Sequence, residues 1–176
     1  MDRHQFRADW HHYNDGIYFI TICTTQKKHL FGEICDGTIF LSSIGDIVKN
    51  AILELPNHHN LRLLNYVVMP NHLHILIDLG NGLSPTLNNY RNIGCIRKPK
   101  HGDGCLNQHF QSALSIVVRT LKSYITHQIK KGNLYEGSIW QGRYHEHIIK
   151  NQNSLDQIWV YIDNNIANWD QDCFRW

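Results

Sequence analysis

Two apolar, β-rich runs separated only by Pro70-Asn71 constrain this chain most. Residues 61–69 and 72–79 are dominated by Leu, Val and Ile, and the Pro-Asn turn between them leaves room for little but an antiparallel hairpin. Residues 17–25, rich in β-branched and aromatic side chains, predict a strand before it. A helix is expected from Ser42 or Ser43 to about Leu55, where Ile44, Ile47, Val48, Ala51, Ile52 and Leu55 recur at helical spacing and Pro56 marks the stop. Downstream, Ser112 opens a helix to about Lys131, residues 139–149 read as a fourth strand, and Ser154 starts a last helix to about Asn164. That helix is expected to bury Leu155, Ile158, Trp159 and Ile162. The order β-α-β-β-α-β predicts an α+β, ferredoxin-like split β-α-β fold: an antiparallel sheet with helices on one face and an added C-terminal helix. The first and third strands of that topology are central, so residues 72–79 should run through the middle of the sheet.

The chain has 176 residues, which suits a single domain over 1–176. No run approaches the length of a membrane-spanning helix, and the N-terminus lacks a signal-peptide build, so a cytoplasmic protein is expected. Five cysteines without CxxC spacing indicate neither a disulfide framework nor a zinc knuckle. Charge is unevenly spread: residues 91–131 carry eight basic side chains against Asp103 alone, while the flanks are acidic on balance. Much of that charge falls in residues 80–111, a long basic loop with five glycines and two prolines. Such a region can neutralise phosphates, although a solvated loop and helix face would look the same.

His72 and His74 lie two residues apart on an expected strand, so their imidazoles share one face while Leu73 and Ile75 take the other. A bare His-x-His is most often a pair of half-exposed histidines at a turn. The Pro-Asn entry and the apolar strand behind it favour a metal pair, and two ligands leave positions open for substrate. His145 and His147 repeat the spacing more weakly; His11-His12 and His58-His59 are expected at the surface. On the helix of 112–131, Val117, Leu121, Tyr124 and Gln128 share a face, pairing a tyrosine with an amide four residues on. The plain reading is a core tyrosine with its tip at the edge. The chemical one makes Tyr124 the attacking group, activated by a metal held by His72, His74 and Gln128.

Tyr66-Val-Val-Met-Pro-Asn-His-Leu-His-Ile-Leu-Ile77 resembles the signature of the HUH-type single-tyrosine transposases, in particular the REP-associated tyrosine transposases. Leu114-Ser-Ile-Val-Val-Arg-Thr-Leu-Lys-Ser-Tyr124, Ile139-Trp-Gln-Gly-Arg-Tyr-His-Glu-His-Ile-Ile149, Tyr161-Ile-Asp-Asn-Asn165 and Trp169-Asp170 agree in order. The resemblance spans roughly residues 15–172. It implies an enzyme that cuts and rejoins single-stranded DNA beside hairpins through a 5′-phosphotyrosine intermediate, with Mg or Mn as cofactor. Histidine ligands suit Mn better than Mg. Resemblance and charge together nominate Arg97, Lys98, Lys100, Arg119, Lys122, Trp140, Gln141 and Arg143 for DNA contacts. Ile166 stands where the family usually has proline, and Leu121 where phenylalanine is common. A homodimer is left open, as is completion of the site within one chain or by a second. Competing readings are an inactive hairpin-binding protein of the same fold and a rolling-circle initiator or relaxase; the latter usually has a third histidine where this chain offers Gln128.

Overall fold

The computed structural model describes residues 16–80 and 112–175. Residues 81–111 of the basic loop, with Arg97, Lys98 and Lys100, and His11-His12 lie outside the described residues. Among the described residues, six strands and four α-helices follow in order: β1 (Ile17–Cys23), β2 (Gly32–Cys35), β3 (Thr38–Leu41), α1 (Ser43–Leu53), α2 (Leu55–His58), β4 (Arg62–Val68), β5 (His72–Asp78), α3 (Ala113–Lys131), β6 (His145–Ile149) and α4 (Gln152–Asn164). The main sheet has the order β4-β5-β1-β6, all antiparallel, with β5 and β1 central as the sequence predicts.

Side-chain alternation sends the two faces of this sheet to different partners. Tyr18, Ile20 and Ile22 of β1 and Leu73, Ile75 and Ile77 of β5 pack beneath α1 and α3 in the larger core. The opposite face, with Phe19, Val67, Met69 and Leu76, packs against α4 through Leu155, Ile158 and Ile162, and against Trp169. The added C-terminal helix therefore covers the other side of the sheet. α1, α3 and α4 each start at a side-chain cap, Ser42, Ser112 and Asn151 respectively, accepting from a backbone amide three residues on.

The structure corrects several expectations. The hairpin β2–β3, a two-stranded sheet of its own, turns through Asp36-Gly37, both at positive φ; this Asp-Gly pair is a hairpin signal that the strand pattern alone did not raise. The expected strand at 139–149 is continuous only from His145, with Trp140 making an isolated bridge to Thr24. Pro56 sits in the first turn of the short helix α2 rather than ending all helix, as its fixed φ allows there. Trp159 is exposed, and His59 is buried against Thr120 rather than at the surface.

Candidate metal and tyrosine site

The hairpin turn fixes where the histidines emerge. The Met69 amide donates to the His72 carbonyl, and Thr24 donates both its amide and its hydroxyl to the Asn71 carbonyl, each at 2.9 Å. His72 and His74 then share the face of Leu76, beneath α4, and both are fully buried. Their Nε2 atoms lie 3.1 Å apart. Each Nδ1 is engaged from behind: that of His72 by Asn71 Oδ1 at 2.7 Å, that of His74 by Thr21 Oγ1 at 2.8 Å. Asn71 donates its amide nitrogen to the carbonyls of Phe174 and Arg175, so its oxygen faces the ring and the His72 proton belongs on Nδ1. In the neutral ring this leaves the Nε2 lone pair pointing into the site. Burial, with His72 beside it, pushes His74 well below its ordinary pKa despite the opposing pull of Asp172, which favours the neutral, ligating form.

α4 and the segment after it bring in the remaining groups. The Tyr161 hydroxyl lies 3.3 Å from His74 Nε2, its ring against His74 and Phe19. Burial and the nearby Asp172 charge push this hydroxyl up to about 12, while a hydrogen bond from Asn165, one helical turn on, pulls it down. Asn165 is buried and its Oδ1 has no hydrogen-bond partner. Asp172 sets Oδ2 3.4 Å from His72 Nε2, in electrostatic contact but without hydrogen-bond geometry. Burial raises the Asp172 pKa, but the His72 contact and the Phe174 amide outweigh it and hold the carboxyl below its usual range. Phe174 closes over both imidazoles, and Trp169 stacks on His72.

A divalent cation fits this donor set. Two nitrogens each about 2.1 Å from one ion at a right angle lie about 3.0 Å apart. Among the described residues, ligand atoms of His72, His74 and Asp172 all lie within 4.8 Å of one another. Asp172 Oδ2 is buried and has no hydrogen-bond partner within the chain, the condition of a carboxylate oxygen free to ligate.

The helix expected to complete the site is elsewhere. α3 packs on the face opposite the histidines, where Tyr124 is half-buried against the larger core and Gln128 shares its helix side. Tyr124 and Gln128 are therefore not brought together with His72 and His74. The crossovers β1-α1-β4 and β5-α3-β6 explain this: right-handed connections place both helices on one face, and that face is the apolar one of Leu73 and Ile75. The pattern that placed Leu73 opposite the histidines already carried this signal. Tyr161 and Asn165, which repeat the tyrosine and i+4 amide spacing on the last helix, went unassigned.

Of the nominated DNA contacts, Arg119, Gln141 and Arg143 are exposed. Lys122 donates to the carbonyls of Gln141 and Arg143, and Trp140 Nε1 donates to the Lys122 carbonyl and Thr126 Oγ1. These two residues pin the segment 140–143 to α3. No described helix is long and apolar enough to cross a membrane.

No family model matches the chain. An uncharacterized protein of Haemophilus influenzae is 33% identical over 165 residues, which cover 92% of this chain and 87% of that one. The solved structure of the REP-associated tyrosine transposase bound to a REP hairpin matches with a TM-score of 0.57 at 18% identity, over 93% of this chain and 74% of that one. At that identity the likeness is one of fold. The chain belongs to one family with the Haemophilus influenzae protein, and its fold is that of the REP-associated tyrosine transposase.

Proposed function

We propose that the chain is a metal-dependent tyrosine transposase that nicks and rejoins single-stranded DNA beside hairpins, with Tyr161 rather than Tyr124 as nucleophile. The observation that carries this reading is the Tyr161 hydroxyl 3.3 Å from His74 Nε2, which itself lies 3.1 Å from His72 Nε2. His72 and His74 would hold the metal, with Mn favoured over Mg by the nitrogen ligands. When bound, the metal supplies positive charge that polarises a phosphoryl oxygen.

The chain's own residues do the rest. Asn71 and Thr21 orient the imidazoles, and Asn165 hydrogen-bonds the tyrosine oxygen and favours its ionised form. Attack by the Tyr161 oxygen on a backbone phosphorus forms a phosphotyrosine bond as the P–O3′ bond breaks. The tyrosine proton is lost to solvent and the departing 3′ oxygen takes one up. The phosphotyrosine keeps an ester for rejoining, which separates this chemistry from hydrolysis. All the groups come from one chain, so the reading requires no second copy. Arg119, Gln141 and Arg143 are the described candidates for contacts to DNA.

The test incubates the full chain with Mn and a single-stranded hairpin oligonucleotide labelled on the 3′ side of the expected nick. Denaturing electrophoresis then reads covalent label on the protein. Tyr161→Phe and His74→Ala should abolish the adduct, while Tyr124→Phe keeps it. Loss in Tyr124→Phe with retention in Tyr161→Phe would return the nucleophile to α3.

A further inference from the structure

We infer that Asp172 is a third ligand of the metal held by His72 and His74, which makes the C-terminal segment a built part of the metal centre. The inference rests on the metal reading above and adds to it a ligand from outside the sheet and α4.

The carboxylate is divided between two tasks. Oδ1 accepts the Phe174 amide at 2.7 Å, which aims Oδ2 inward. Oδ2 is buried, has no hydrogen-bond partner, and lies 3.4 Å from His72 Nε2. An ionised carboxylate in such a place is costly unless it is paired or coordinates a metal. With its Nδ1 engaged by Asn71, His72 turns only Nε2 toward Oδ2, and the two make no hydrogen bond at 3.4 Å. A cation between Asp172, His72 and His74 satisfies all three atoms at once.

The segment is held at this position by contacts that do not involve the carboxylate. Asn71 donates to the carbonyls of Phe174 and Arg175, at 2.9 and 3.2 Å, and Lys27 Nζ donates to the Cys173 carbonyl at 3.3 Å. The Phe174 ring rests on His72, His74 and His145. Asn71 thus orients one ligand ring and anchors the segment that carries the third ligand. Two histidines and one carboxylate occupy part of a coordination sphere and leave other positions open for phosphate oxygen. Binding and order are reciprocal: if Asp172 ligates the metal, the metal must hold the segment in place.

The test measures Mn binding to the full chain without DNA, by calorimetry and by the electron paramagnetic resonance signal of free Mn. Asp172→Asn should weaken Mn binding at least about tenfold, with circular dichroism unchanged. In the unsubstituted protein, Mn should slow amide exchange at Phe174, whose N–H donates to Asp172. Equal Mn affinity in the two proteins, with loss only in His72→Ala, overturns the role of Asp172 and leaves the histidine site standing. Absence of Mn binding by the unsubstituted chain overturns both. Should Asp172→Asn fail to fold, Mn without effect on Phe174 exchange is enough to overturn the inference.

Discussion

Asn71 Oδ1 accepts from His72 Nδ1 at 2.7 Å while its amide nitrogen holds the carbonyls of Phe174 and Arg175. One buried amide thereby sets the tautomer of His72 and the position of the chain that lies over it. Partners of this kind, behind a ligating histidine, commonly set affinity nearly as strongly as the ligands do. Asn71→Ala should weaken Mn binding by about 10–100-fold while the sheet stays folded, read by Mn titration alongside circular dichroism.

His59 makes stability depend on pH. Burial, with the His58 charge adding to it, lowers His59 to about 4 from its usual 6.5, and its Nε2 lies 3.1 Å from Thr120 Oγ1. Between those two values the unfolded chain takes up a proton that the folded chain refuses. The His59 contribution is therefore fully present above pH 6.5 and is lost progressively as pH falls toward 4. Urea denaturation at pH 7.5 and pH 5 should show a drop that is smaller in His59→Gln; equal drops would exclude this residue as the cause.

Gly45 permits α1 to start against the preceding loop. A Cβ at this position would sit 1.9 Å from the Phe31 carbonyl oxygen, backbone that also accepts the Ser42 amide. Gly45→Ala should cost at least about 2 kcal/mol in denaturant unfolding, because the atom it meets at 1.9 Å is backbone and not a flexible side-chain tip. An exposed control, Val160→Ala on α4, should stay within about 0.5 kcal/mol.

Arg143 is exposed on a segment that Lys122 pins to α3. If it pairs with phosphate, Arg143→Ala should weaken hairpin binding across sequences and reduce the salt slope of the affinity by about one. Fluorescence anisotropy at several salt concentrations measures both, and an unchanged slope would remove Arg143 from the interface.

Much of the architecture is legible in local patterns. Apolar, β-rich runs on either side of Pro70-Asn71 mark the β4–β5 hairpin, and helical stripes mark α1, α3 and α4 within a few residues. The same alternation that set His72 beside His74 sent Leu73 and Ile75 to the other face, because strand geometry is local. Locally, however, Tyr124 with Gln128 and Tyr161 with Asn165 are the same signal: a tyrosine and an amide one helical turn apart.

What separates those two pairs is which face of the sheet each helix covers. Handed crossovers and the apolar face of β5 commit α3, with Tyr124, to the larger core, and leave the histidine face to α4 and Tyr161. Asp172 is farther still from any local pattern, since its meeting with His72 depends on a turn after α4 and on Asn71 gripping the chain beyond it. The sequence by itself determined the strands, their hairpin and the shared face of His72 and His74, because those follow from backbone periodicity. Only the tertiary structure decided which tyrosine and which carboxylate meet them, because that choice depends on long-range packing that no short stretch of chain encodes.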